Sequence, residues 1–144
     1  GFGKAAQIAL SNIIENQIHM TSLTDQLWNS IKLEIPEVER LGRPDHRLPN
    51  TLGLTFNGVG GNDLLMALDM EGIAVSTGSA CSSGSLGPSQ VLIAMGLPEE
   101  KIESSLRISL GWNNSSDEMN RTVRTLKTLV SHMRMSQASE RSFQ

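Results

Sequence analysis

One cysteine is the residue with the clearest potential for chemistry. Cys81 is the only cysteine among 144 residues, and it lies in the segment STGSACSSGS, residues 76–85. A lone cysteine is often a small buried hydrophobic residue, but its neighbours here are serine, glycine and alanine, which provide no large apolar side chain to pack against it. An accessible thiol is oxidised easily, and its thiolate is the reactive form. The segment therefore favours a nucleophilic thiol, and a buried structural cysteine is the alternative.

One arginine is the second candidate. Arg107 lies in SSLRISLG, residues 104–111, where leucine and isoleucine alternate with polar residues. In a strand, this alternation places Leu106, Ile108 and Leu110 on one face and Arg107, with Ser105 and Ser109, on the other. A guanidinium between two serines suits bidentate binding of a carboxylate. The alternative is an ordinary surface arginine on an edge strand.

Other motifs give weaker evidence for a function. GFGKAA, residues 1–6, matches a dinucleotide fingerprint on paper, but the preceding strand that this fingerprint requires is not in the sequence. GVGGN, residues 58–62, lacks the lysine and hydroxyl of a phosphate-binding loop, so we interpret it as a turn. None of the three histidines has metal-ligand spacing with the cysteine or another histidine, and we interpret them as structural or solvated (His19, His46, His132).

Composition limits the classes of function. The formal net charge is −3 and no basic block is present, which argues against nucleic acid as a partner. No apolar run approaches the roughly 20 residues of a membrane span, and the first residues do not resemble a signal peptide. A single cysteine permits no internal disulfide, which fits a reducing, cytoplasmic compartment.

The pattern of apolar residues predicts the elements that position these two side chains. It predicts a helix over 4–33, strands over 38–41, 51–58 and 73–75, a helix over 63–70, a helix from Pro88 to Gly96, the strand of Arg107, and a closing helix after a capping box at 115–118. This order predicts an α/β fold with a small mixed sheet covered by helices. We expect a long connecting helix over 1–35, a small domain over 36–135 with the cysteine loop at 76–87, and a frayed tail over 136–144.

Two segments resemble a known family. VSTGSACSSGSLGPSQVLIAMGL followed by SSLRISLG resembles the C-terminal domain of cysteine desulfurases of the nitrogen-fixation and iron–sulfur-assembly type. GFGKAA, LPNTLGLTF and LLMALDMEGIAVSTGSAC lie in the same order as in this family. Its members are pyridoxal-phosphate enzymes of aminotransferase class V with the fold-type-I architecture. The resemblance covers nearly the whole chain, which corresponds to only the later part of the family.

The resemblance implies roles for both candidates. Cys81 matches the nucleophilic cysteine, Arg107 matches the arginine that binds the substrate carboxylate, and residues 79–84 match a mobile loop around the cysteine. The implied reaction converts L-cysteine to L-alanine and leaves a persulfide on Cys81, whose sulfur passes to an iron–sulfur scaffold or another acceptor protein. It also implies a cytoplasmic homodimer for the full-length enzyme. Cys81 is, in addition, a candidate ligand of a transient iron–sulfur cluster shared with a partner.

The chain departs from the family in one important respect. None of its four lysines follows a histidine, as the family's cofactor-binding lysine does (Lys4, Lys32, Lys101, Lys127). We therefore expect no cofactor-binding residue in this chain and no activity from the chain alone. Gly87 also stands where relatives often carry an acidic residue. The alternatives are a cofactor-free sulfur-relay or binding module, a class-V relative resembling selenocysteine lyase, and an inert domain.

Overall fold

A computed structural model describes residues 1–43, 45–77 and 88–141. Along the chain, the elements are α1 (Phe2–Glu34), β1 (Val38–Arg40), β2 (Thr51–Phe56), α2 (Gly61–Met70), α3 (Gln90–Ala94), α4 (Glu99–Glu103), β3 (Ser105–Ser109) and α5 (Ser116–Arg141). Within the described ranges, no helix is long and apolar enough to cross a membrane.

The long first helix is buried only along its C-terminal third. Leu23, Leu27 and Ile31 recur every four residues and lie in the core, so they form one stripe on the helix. The apolar residues earlier in the helix do not extend this stripe; Ile13, for example, is 57% exposed. The helix ends before Pro36, whose ring restricts the preceding residue Ile35 to the extended conformation found there. The predicted helix is confirmed, whereas its role as a connector stays a prediction.

The sheet has three strands in the order β1-β2-β3. Both pairs are antiparallel, with Arg40 opposite Leu54 and Gly53 opposite Arg107. The predicted α/β class and small sheet are confirmed, but these strands are antiparallel throughout, so the described sheet is not mixed. The apolar residues of β2 and β3 point towards the helices, and the core formed there consists of strand residues packed against α1, α2 and α5.

The last helix closes this core. Its N-terminus is the predicted capping box: the Ser115 hydroxyl accepts from the Glu118 amide at 3.3 Å, and the Glu118 carboxylate accepts from the Ser115 amide at 2.8 Å. The Glu118 carboxylate also accepts from the Asn114 side-chain amide and the Ser115 hydroxyl, and these donors, chiefly the Ser115 backbone amide, stabilise its charged form and lower its pKa. The helix continues to Arg141, so residues 136–141 are helical where a frayed tail was expected.

Two predicted elements differ from the structure. Residues 73–75 do not form a strand; only Ser76 pairs, through an isolated bridge to Arg107. The helix expected from Pro88 begins at Gln90, because the Ser89 hydroxyl accepts from the Leu92 amide and caps it. Its apolar residues are not buried: Val91 is 68% and Met95 48% exposed, since this short helix borders an open pocket and not the core.

Candidate functional site

Arg107 lies on the face of the sheet opposite the core. Leu106 and Ile108, its neighbours along β3, are buried against the helices, whereas Arg107 itself is exposed. The predicted alternation is therefore confirmed for these residues. Ser109 shares the exposed face, but Ser105 is buried, because its hydroxyl donates to the Ile102 carbonyl of α4 at 2.7 Å.

The Arg107 side chain borders a pocket of about 270 Å³. Most of the lining is apolar, and its polar members include a second arginine, Arg47, together with His46 and Ser89. The described lining residues include no aspartate or glutamate. Two guanidinium groups and no carboxylate give this pocket a positive potential, which suits a ligand that carries a carboxylate.

Gly53 makes room for the pocket. It stands directly opposite Arg107 on β2 and also lines the pocket. A Cβ atom built on Gly53 would meet the Cβ of Leu41 at 3.4 Å, an ordinary contact, so the fold does not require glycine here. Gly53 instead adds no side chain to the pocket that Arg107 also lines. Sequence reasoning missed Gly53; the signal was its position on the polar side of the alternating strand TLGLTF.

A third arginine, Arg40, lies near Arg47. Arg40 is largely buried, and its Nη1 lies 3.6 Å from Oδ1 of Asp25, while its Nε has no hydrogen-bond partner within the described residues. Burial, and then the like charge of Arg47, lower the pKa of Arg40. Arg47 is oriented by a bond from its Nε to the Arg43 carbonyl at 2.8 Å. Arg47 lies in the proline-containing loop, where the sequence carried no motif that singled it out.

The structure connects the cysteine segment to Arg107 through Ser76. Ser76 and Arg107 exchange two backbone hydrogen bonds of 3.0 and 2.6 Å. Ser89, which follows the segment, lines the same pocket as Arg107. Cys81 lies outside the described residues, so the prediction that it is the nucleophile stays a prediction, as does its suggested part in a transient iron–sulfur cluster.

The four lysines do not approach the pocket. Lys101 pairs with Glu39, and Lys127 Nζ lies 3.1 Å from Glu34 Oε2. Lys4 and Lys32 lie on α1. No lysine lies among the described lining residues, so this part of the pocket offers no amine to bind the aldehyde group of pyridoxal phosphate.

The histidines match their predicted structural or solvated roles. His19 Nε2 lies 2.9 Å from the Asn114 carbonyl, His46 pairs with Asp45 at 3.5 Å at the pocket rim, and His132 is exposed on α5. In the described part of the chain, no group of three histidine, cysteine, aspartate or glutamate residues is arranged to hold a metal ion.

Comparisons with known proteins agree with this architecture. A cysteine desulfurase IscS from Clostridium botulinum is 41% identical over 136 residues, which cover 93% of this chain and 34% of that protein. One from Methanosarcina thermophila is also 41% identical, with 93% of this chain and 33% of that protein covered. The chain thus spans about a third of the length of the curated relatives it matches.

A solved structure shows the same fold. The X-ray structure of a NifS-like protein from Rickettsia africae superimposes with a TM-score of 0.79 and 30% identity, and covers 91% of this chain and 33% of that chain. The model of the family described as aminotransferase class-V matches residues 1–122, which include both the cysteine segment and Arg107. The chain therefore belongs to the aminotransferase class-V family.

Proposed function

We propose that this chain is the C-terminal domain of a pyridoxal-phosphate-dependent cysteine desulfurase, which converts L-cysteine to L-alanine and retains the sulfur as a persulfide on Cys81. The arrangement around Arg107 carries the proposal: the described lining of its pocket includes two arginines and no acid, and the segment that carries Cys81 begins at Ser76, the residue paired with Arg107. Relatives with the name cysteine desulfurase support it at 41% identity.

In this proposal, Arg107 binds the carboxylate of L-cysteine. Its guanidinium borders the pocket on the open face of the sheet, and a planar fork of N–H donors matches the two oxygens of a carboxylate. Arg47 raises the positive potential of the same pocket. The strand holds the Arg107 backbone rigidly, because Arg107 pairs with Gly53 on one side and with Ser76 on the other.

Cys81 receives the sulfur. Its thiolate attacks the thiol sulfur of the substrate, and a sulfur–sulfur bond forms as the carbon–sulfur bond breaks. The electron pair of the broken bond stays on the substrate carbon, which takes up a proton and becomes the methyl group of alanine. Cys81 follows Thr77 by four residues, so the two Cα atoms are no more than about 14 Å apart. This limit keeps Cys81 within reach of the strand that carries Arg107.

In this proposal, the lysine that binds the cofactor lies outside this chain. The described pocket supplies no lysine for pyridoxal phosphate, so the chain contributes carboxylate binding and the sulfur-accepting thiol. We therefore propose that the isolated chain does not turn over cysteine. The proposed full-length enzyme is a cytoplasmic homodimer, and its sulfur acceptor is an iron–sulfur scaffold or a similar protein.

The test is a direct search for the persulfide. The full-length protein that contains this chain is incubated with pyridoxal phosphate and L-cysteine, and its peptides are analysed by mass spectrometry after alkylation. We expect an added sulfur atom on the peptide that contains Cys81, with one alanine released for each persulfide formed in the first turnover.

The matched control is Cys81→Ser, which keeps the size and polarity of the side chain but cannot form a persulfide. It should lose the sulfur adduct and retain substrate binding. An unmodified Cys81 peptide in the wild-type protein after alanine has been released would refute the proposed role of Cys81. Sulfur uptake by the isolated chain from a persulfide donor, with no cysteine turnover in the full-length protein, would instead favour the relay module.

A further inference from the structure

Ser76 and Arg107 are paired through their backbones at the edge of the sheet. The Ser76 amide donates to the Arg107 carbonyl at 3.0 Å, and the Arg107 amide donates to the Ser76 carbonyl at 2.6 Å. Two residues that exchange both backbone bonds stand directly opposite each other in an antiparallel pair, with their side chains on the same face. The Ser76 side chain therefore lies beside the Arg107 side chain on the open face of the sheet.

The Ser76 hydroxyl is oriented as an acceptor towards that guanidinium. Its proton is donated to the Thr77 carbonyl at 2.9 Å, which leaves an oxygen lone pair for Nη2 of Arg107 at 3.3 Å. An arginine has donors only and cannot accept this proton. Ser76 thus presents a fixed acceptor to a group that can only donate.

This contact is significant because it orients the guanidinium within the part of the chain that the structure describes. Among the described residues, the Arg107 side chain makes one hydrogen bond, the one to Ser76. Gly53, opposite Arg107 on the other side, has no side chain to contact it. A long exposed side chain loses conformational freedom when it binds a ligand, and a partner that orders it beforehand reduces this cost.

We propose that Ser76 is a positioning residue for carboxylate recognition, which holds one edge of the Arg107 guanidinium so that its remaining donors face the pocket. The inference rests on the proposed function, in which Arg107 binds the carboxylate of L-cysteine. The backbone bridge uses no side-chain atom of Ser76, so a serine is not needed to extend the sheet here. The hydroxyl therefore has a role that is separable from the fold.

The test uses the full-length protein loaded with pyridoxal phosphate. Ser76→Ala keeps the backbone bridge and removes the hydroxyl, and we expect it to raise KM for L-cysteine about five- to tenfold, with kcat changed less than about twofold. Ser76→Thr retains a hydroxyl and should restore KM to within about twofold of the wild-type value. Ser109→Ala, on the same exposed face of β3, should leave both parameters unchanged.

A double-mutant cycle distinguishes positioning from a general structural effect. If Ser76 acts through Arg107, Ser76→Ala should have no further effect on kcat/KM in a protein that already carries Arg107→Gln. An unchanged KM in Ser76→Ala would overturn the inference. An equal loss of kcat/KM in the wild-type and Arg107→Gln backgrounds would also overturn it.

Binding of L-cysteine to Cys81→Ser protein, measured by calorimetry, separates this inference from the proposed function. Ser76→Ala should weaken that binding about five- to tenfold whether or not the wild-type protein forms a persulfide. An absent persulfide with this weakened binding would refute the proposed function alone. Equal affinities with and without the Ser76 hydroxyl, or no binding at all, would refute the role of Ser76.

Discussion

Replacement of Arg107 by glutamine separates its role in binding from its role in the fold. Arg107→Gln keeps a side chain of similar polarity and removes the positive charge and the fork of donors. Two charge-assisted hydrogen bonds to a substrate carboxylate, at about 1.5–3 kcal/mol each, set the loss at about 3 kcal/mol or more. This corresponds to a decrease of kcat/KM of about 150-fold.

The structure predicts a much smaller effect of this substitution on stability. Arg107 is exposed, and within the described residues its side chain makes one hydrogen bond, of 3.3 Å to Ser76. Loss of this bond should reduce the free energy of unfolding by about 0.5–1.5 kcal/mol at most. The decrease in transition-state binding should therefore exceed the decrease in stability at least twofold.

The assay compares kcat/KM for L-cysteine with urea unfolding, for the wild-type full-length protein and two variants. Arg107→Lys keeps the charge but not the planar fork, and should lose about tenfold in kcat/KM, an intermediate value. If Arg107→Gln retains kcat/KM within about twofold of wild type, or if its loss of activity is matched by an equal loss of stability, Arg107 does not bind the substrate as proposed.

Two further substitutions test the pocket and the last helix. Gly53→Ala should raise KM for L-cysteine by about threefold or more, because its methyl group adds to the lining of the pocket that Arg107 borders. It should also increase the free energy of unfolding by about 0.5–1 kcal/mol, since alanine loses less conformational freedom in a strand. An unchanged KM would contradict the assignment of the substrate to this pocket. Glu118→Gln should destabilise the protein at neutral pH, because the pKa of Glu118 is lowered in the folded state. A carboxylate with a lowered pKa in the folded state stabilises the protein above its unfolded pKa of about 4.3, and this stabilisation is lost as the pH decreases through the folded pKa. The free energies of unfolding of the two proteins, measured in urea, should therefore converge in acid. A constant difference down to about pH 2–3 would show that the carboxylate charge is not responsible.

Local patterns predicted most of the fold. The closing helix α5, the capping box at Ser115 and Glu118, and the alternation from Leu106 to Ile108 in β3 each depend on residues a few positions apart, and each appears as predicted. The errors concern elements whose surroundings come from elsewhere. The apolar residues of α3 resemble a core stripe, but the helix borders the pocket, so Val91 and Met95 are exposed. Residues 73–75 have β propensity, but only Ser76 meets a strand edge.

The candidate site likewise contains residues that the sequence identified and residues that it did not. Cys81 and Arg107 were identified from side-chain chemistry and from a motif. A thiol among small polar residues, and an arginine that alternates with apolar residues, can be recognised from the sequence alone. Ser76, Gly53 and Arg47 were not identified. Ser76 and Arg47 have no local signature, and Gly53 has only its position on the polar side of an alternating strand, since each matters through a partner that lies distant in the sequence.

The sequence by itself determined which residues can do chemistry, most of the helices and strands, and the side of β3 on which Arg107 lies, because these properties depend on side-chain type and short-range periodicity. Only the tertiary structure decided that Ser76 pairs with Arg107 across 31 positions, and that the Arg47 loop and Ser89 border one pocket with Arg107. The physical reason is that strand pairing and pocket shape arise from contacts between residues far apart in the chain, whose register is set by the packing of the whole core.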